Sequence, residues 1–223
     1  MYREIAKLLL YRDLEPDCIL FRLSDIFEEF DKGGYDKAAL TERIYVEMKR
    51  LLDLSTSYGF DENLWHNYLA YIIITNENSF SLTCEKVGAN DGTVNQFAKK
   101  DFAIFKRLFE YDFAPIEQAL DIDCFTTISH YKAIHKTERM YNRNVSEKVR
   151  SISHKIEQAA DEQAIFDIVT NFYHDYGVGM FGLNKAFRLK EHCDDVEFVA
   201  INNTDRVMLT DLVGYEIQKK KAG

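Results

Sequence analysis

The sequence predicts a mainly α protein: a multi-helix bundle with a short β-hairpin or β segment near the C-terminus. Three observations carry that prediction. Apolar residues recur every three or four positions through most of the first 176 residues, the spacing of helices that bury one face. Two prolines and ten glycines in 223 residues leave little turn chemistry for a β-rich fold. Strand-like alternation is confined to one late stretch, VEFVAI, over 196–201. Apolar and charged contents of 46% and 29% are those of an ordinary globular protein. A chain of this length buries roughly 70–75% of its unfolded surface, so it builds a core without disulfide staples. Thirteen Tyr and sixteen Phe predict aromatic-filled helix interfaces.

The elements follow in order. Ile5, Leu8, Leu9 and Tyr11 make a helical stripe over residues 1–12. Pro16 and Asp17 open a second helix carrying Ile19, Leu20, Leu23, Ile26, Phe27 and Phe30, and Gly33-Gly34 ends it. A long helix spans about 36–57, with Leu40, Ile44, Met48, Leu51 and Leu52 on one face and Gly59 as its C-cap. Asp61 caps ENLWHNYLAYIIIT, which is apolar nearly all round and therefore central. Residues 76–90 are irregular around a short helical piece, LTCEKV. An amphipathic helix returns over 93–111 with Phe97, Phe102, Phe105, Leu108 and Phe109. Pro115 starts a short helix, and 121–144 reads as less regular. A helix runs from Ser146 to about Ala160, and Asp161 caps another that carries Ile165, Ile168, Val169 and Phe172. Val207–Leu209 is the expected partner of VEFVAI, and Thr210 or Asp211 caps a last helix ending in Lys219-Lys220-Lys221. The division is a helical domain over 1–176, then a glycine turn, short strands and a linker helix over 177–223.

Charge and cysteine usage narrow the function classes. A net charge of −9 argues against nucleic-acid binding by the chain as a whole, because phosphate contacts need clustered Lys and Arg. The four cysteines, Cys18, Cys84, Cys124 and Cys193, are widely spaced and form no C-x-x-C. The N-terminus reads as a helix start, not a signal peptide. The longest apolar run, 69–75, is far short of the ~20 residues that span a bilayer. The expectation is a cytoplasmic protein with no membrane contact.

Composition changes at YGVGMFGLNKAF, residues 176–187, where Gly177, Gly179 and Gly182 fall within six positions. The three match G-x-G-x-x-G, but an amphipathic helix precedes them where a dinucleotide site needs a strand. Gly177 and Gly182 also have half of a phosphate-loop spacing, yet Leu183 and Asn184 stand where Lys and Ser/Thr are required. The better reading is structural: Gly177 as a helix C-cap, Gly179 and Gly182 in a tight buried turn, and Lys185 beside them as part of a joint. Six histidines give no metal signature; His130 and His135 are five apart, and His192-Cys193 point apart on any regular element. His174-Asp175 could form an oriented base but has no recognisable nucleophile. Lys132, Lys136, Arg139, Arg143, Lys148 and Arg150, interleaved with Tyr131, His135 and Tyr141, make a basic run. In an acidic chain it reads as a solvated face or an intramolecular acid-pairing surface. Trp65, His66 and Tyr68 belong to the core.

Five strings, LWHNYL, ITNENSFSLTCEKVGANDGTVNQFAKKDF, ERMYNRNVSEKV, YGVGMFGLNKAFR and DLVGYEIQKKK, together resemble one family. It is the N-terminal region of bacterial AAA+-type P-loop ATPases known as the "domain of unknown function 815" family, and the resemblance covers nearly the whole chain. It implies that DLVGYE is the linker entering an ATPase module, with Leu212, Val213 and Gly214 near the adenine base. The family's phosphate loop would follow downstream, whereas this sequence stops at Lys221-Ala222-Gly223. No cofactor is then expected in this chain itself: ATP and Mg are implied for the missing module alone, and no catalytic or metal residue is assigned here. The expected function is a regulatory, partner-binding region whose partner is its own ATPase module or another protein. The alternative is a free-standing helical interaction module. A third reading is a small-molecule enzyme using His174, Asp175 and Lys185.

Overall fold

The computed structural model describes residues 1–88, 92–133, 143–184, 187–192 and 195–201. It is mainly helical, as expected. The helices are α1 (Tyr2–Ile5), α2 (Ile19–Lys32), α3 (Lys37–Tyr58), α4 (Leu64–Thr75), α5 (Ser79–Val87), α6 (Thr93–Phe109), α7 (Ala114–Leu120), α8 (Cys124–Ser129), α9 (Arg143–Glu157), α10 (Glu162–Tyr176) and α11 (Gly179–Leu183). A 3-10 turn covers Leu10–Arg12, and two strands follow the helices, β1 (Phe187–His192) and β2 (Asp195–Ala200).

Helix α4 is the centre. It buries Leu64, Trp65, Tyr68, Leu69, Ile72 and Ile73 among others, and it touches α3, α6, α8, α9, α10 and α11. A helix apolar all round must place its few polar groups inside, and most find a partner, His66 Nδ1 and Asn67 Oδ1 being the exceptions among the described residues. Trp65 Nε1–H donates to the Leu108 carbonyl at 2.8 Å, and the Leu20 N–H donates to the Tyr68 hydroxyl at 3.0 Å. From α10 the Tyr173 hydroxyl donates to the Ile73 carbonyl at 2.6 Å. Aromatic rings fill the gaps: Phe113 stacks on Phe125 at 4.3 Å, and Phe80 lies between Phe102, Phe166 and Tyr173.

Several starts and stops fall where the sequence puts them. The Asp36 carboxylate accepts from the Ala39 N–H at 2.9 Å, and Gly59 ends α3 in the left-handed region. The Asp161 carboxylate accepts from the Ala164 N–H at 2.8 Å. Helix α5 begins earlier than LTCEKV, at Ser79, because Asn78 and Ser81 form a capping box within the stretch that reads as irregular in the sequence.

Other expectations need correction, each for a tertiary reason. The helix expected over 1–12 is broken. The Asp101 carboxylate, buried on α6, accepts from the N–H groups of Leu9 (3.1 Å), Leu10 (2.8 Å) and Tyr11 (3.2 Å), which pulls the chain into a 3-10 turn. Burial pushes the Asp101 carboxyl above its usual range, and the three N–H groups pull it partly back. Leu9, Leu52 and Phe97, placed on apolar stripes, are exposed. Helix α2 starts at Ile19 rather than at Pro16-Asp17, because Asp17 pairs with Arg22 at 2.6 Å instead of capping. Asn63, not Asp61, caps α4, at 3.0 Å from the His66 N–H. Asp61 instead accepts from the Ala133 N–H at 2.7 Å. The segment 121–144 contains α8, anchored where the Glu117 carboxylate accepts from the Thr126 N–H (2.9 Å) and hydroxyl (2.6 Å). The VEFVAI strand pairs antiparallel with 187–192, in the register Phe187↔Ala200, Leu189↔Phe198 and Glu191↔Val196. Val207–Leu209 and the last expected helix lie outside the described residues.

Replacing Asp101 by Ala leaves three backbone donors without their acceptor. We expect a loss of about 3 kcal/mol of unfolding free energy, because buried unpaired donors cost ~1–3 kcal/mol each. Urea melts of Asp101→Ala against wild type measure it, and an unchanged midpoint would show that the turn needs no carboxylate.

Candidate functional site

The site the sequence singles out is the glycine joint, and its geometry is built from four helices, α5, α9, α10 and α11. Helix α10 ends at Gly177, with φ of 82°, and its N–H closes on the Tyr173 carbonyl at 2.9 Å. Gly179, φ of 69°, then opens the short helix α11. A side chain at Gly177 would meet the Glu85 carboxylate, and one at Gly179 would meet the Glu77 carboxylate. One at Gly182 would run into the Gly177 carbonyl. Three glycines within six residues thus answer to three close approaches. The tight buried turn expected here is a single helical turn, with Val178, Leu183 and Asn184 buried.

Polar contacts lock it. The Val178 N–H donates to Glu85 Oε1 at 3.3 Å, and Lys148 Nζ from α9 donates to the Gly182 carbonyl at 2.7 Å. The same ammonium lies 4.3 Å from the Tyr176 ring centroid. This arrangement cannot hold a phosphate. The backbone N–H of Val178 already serves a carboxylate, and Glu77 and Glu85 present negative charge where a phosphate loop presents free N–H groups. Among the described residues no strand precedes the first glycine. Nothing in the sequence marks Glu77 and Glu85 as part of the joint; Glu77 lies just before α5 and Glu85 on it.

Beyond Gly182 the remaining sequence-assigned positions, Lys185, Leu212, Val213 and Gly214, lie outside the described residues. The β-hairpin does not pack broadly on any helix among the described residues. Leu189 and Phe198 face each other across it, 58% and 52% exposed, with Phe187 6.3 Å from the Phe198 ring. Arg188 and Lys190, exposed, alternate onto the other face.

The other candidates separate. His174 Nδ1 and Asp175 Oδ1 are 3.1 Å apart at an exposed helix end, and no nucleophile joins them among the described residues. Of the basic run, His135, Lys136, Arg139 and Tyr141 lie outside the described residues, while Lys148 and Arg150 reach backbone carbonyls of their own chain. Among the described residues no group of three or more His, Cys, Asp or Glu is placed to hold a metal ion, and no helix is long and apolar enough to cross a membrane. Burial pushes the thiols of Cys84 and Cys124 up to about 11, so both stay protonated and inert at neutral pH.

His66, expected in the core with Trp65 and Tyr68, is half-buried at its edge, and it is not passive. Its ring is 13% exposed, and Nε2–H donates to the Phe109 carbonyl at 2.8 Å. Nδ1 makes no hydrogen bond and lies 3.5 Å from Glu157 Oε1, so an ion pair forms only when the ring is protonated. Burial lowers its pKa below 6.5; the Phe109 carbonyl and Glu157 oppose that, and Lys106 adds to it.

Two predictions follow from this geometry. Gly33 and Gly179 both have positive φ, but only Gly179 is crowded. Gly33→Ala should cost about 1 kcal/mol, the ordinary backbone penalty, and Gly179→Ala clearly more. Thermal melts compare them, and equal losses would mean that Glu77 yields freely. For His66 the unfolded chain binds the proton first, because the folded pKa is the lower. Stability should therefore fall as pH drops from about 6.5 toward the folded value, and level off below it. His66→Gln should flatten that part of the curve, read from urea melts between pH 7.5 and 5.

Against these observations, no family model, curated protein or solved structure matches the chain.

Proposed function

We propose that this chain is a helical, partner-binding region that works with an AAA+-type ATPase module of the bacterial kind, and that it does no catalysis by itself. The observation that carries the reading is the hairpin. It lays an apolar cross-strand pair, Leu189 and Phe198, open to solvent on a two-stranded element. An isolated two-stranded hairpin is at best marginally stable in water, and exposed apolar pairs mark docking faces. The hairpin follows in sequence a joint that Lys148 and Glu85 hold against the helical body. In this reading the body is the partner-binding part, the joint transmits its position, and the hairpin meets the module.

The assignment of that module rests on the resemblance of the five strings, YGVGMFGLNKAFR and DLVGYEIQKKK foremost. ATP and Mg would be held there, with Leu212, Val213 and Gly214 at the adenine side. A cytoplasmic location goes with the same proposal. The alternative is a free-standing helical interaction module, which uses the same hairpin with no nucleotide link.

A photo-crosslinking side chain at position 189, introduced into the protein in the host that makes it, separates the two. Adducts with a polypeptide that carries G-x-x-x-x-G-K-[ST] are the expected result. Adducts confined to proteins without that loop would favour the free-standing module. Turnover of MgATP by the purified chain at enzyme-like rates, about 1 s⁻¹ or faster, would overturn both.

A further inference from the structure

A second surface, separate from the hairpin, has the chemistry of a binding site. A groove of about 350 Å³ lies between α9 and α10. Its α9 wall carries Lys148, Ser151 and Lys155, which recur at the three-to-four-residue spacing of one helix face. Ile152 and Phe172, both buried, form the floor, and Tyr176, 50% exposed, closes one end with its ring 5.0 Å from that of Phe172. Asn171 lines the α10 wall. Ser151, Lys155 and Asn171 make no side-chain hydrogen bond among the described residues. The one carboxylate on the rim, Asp175, is paired with His174.

We propose that this groove binds an acidic, extended peptide segment of a partner protein. Charge complementarity selects that occupant. In a chain of net charge −9 the wall of α9 offers two ammonium groups and a hydroxyl, and the facing wall adds an amide donor. A ligand rich in carboxylates meets donors here, whereas most of the surface would repel it. The spacing sets the length. Lys148 and Lys155 stand seven helical residues apart, about 10.5 Å along the axis. An extended peptide advances ~3.3 Å per residue, so acids three positions apart span the same distance. Apolar side chains between them settle on Ile152 and Phe172. The segment is therefore of the form acid, apolar, apolar, acid.

The groove also reaches the joint. Lys148 Nζ lies on the Gly182 carbonyl, so a ligand carboxylate drawn to Lys148 touches α11 through one side chain. This inference rests on the partner-binding reading but not on the identity of the hairpin's partner. A larger cavity of about 810 Å³ beside α1 and α2 carries no comparable argument. Its rim sets the carboxylates of Asp25 and Glu28 beside its cations, so it does not select an acidic ligand.

The test titrates the full chain, labelled with 15N, with the acetylated, amidated peptide Glu-Leu-Phe-Glu. The expected result is saturable shifts of the Ile152, Asn171 and Phe172 amides, weakened about tenfold in Lys155→Glu and absent with Lys-Leu-Phe-Lys. Lys155 is exposed, so the variant folds, and its melting curve checks that. No saturation by 5 mM peptide, using about that upper limit for weak ligands, would overturn the proposal, as would an unchanged affinity in Lys155→Glu. Equal binding of hexaglutamate, or of inorganic phosphate at the same amides, would also overturn it, because the apolar floor would then play no part. Loss of the hairpin crosslink with retention of this binding would sink only the ATPase reading.

Discussion

The Asp101 carboxylate is the constraint on which the N-terminal half of the fold depends. It sits on α6, fully enclosed, and collects three consecutive backbone N–H groups from a segment some ninety residues earlier in sequence. A buried carboxylate without such donors would be neutralised or expelled. With them it fixes where the first turn ends and turns Tyr11 inward. The Tyr11 hydroxyl then meets that of Tyr173 at 3.1 Å, and Tyr173 in turn holds the Ile73 carbonyl of α4. One chain of hydrogen bonds thus ties the first turn to α6, α10 and the central helix. Desolvation keeps both tyrosines protonated far above neutral pH, so the chain has no charge to lose there.

What was legible in the sequence was what is local. Asp161 caps the helix that follows it because the acceptor is three residues from its donor, and Gly59 ends α3 by its own backbone. Helix α4 could be read as central because its residues are apolar on every side. What failed was decided from a distance. Nothing within residues 1–12 reveals that Asp101 will claim three of their N–H groups. Nothing around Asp61 reveals that the Ala133 N–H will claim its side chain and leave the cap to Asn63. Helix α8 owes its anchor to Glu117 on the neighbouring helix.

The candidate site divides in the same way. The glycine spacing showed that something crowded happens at 177–182, and it also mimicked two nucleotide motifs. The agents of the crowding, Glu77 and Glu85 on and before α5 and Lys148 on α9, are far away in sequence. They turn a pattern that resembles a phosphate cradle into a carboxylate-lined joint. The hairpin was half legible: β2 alternates, but the partner strand FRLKEH mixes charge and bulk in a way that reads as helix or loop. The groove between α9 and α10 was invisible, because its two walls are separate amphipathic helices until they pack together.

The hydroxyl pair of Tyr11 and Tyr173 also has a consequence for how the protein is made. The two residues are 162 positions apart. At about 5–20 residues per second, a ribosome that has released Tyr11 delivers Tyr173 roughly 10–30 s later. Until then α6 can cover the first turn, with Tyr11 on Phe102 and Phe105, but the Tyr11 hydroxyl lacks its partner. The nascent chain therefore carries a leading end that α6 covers first and that α10 completes.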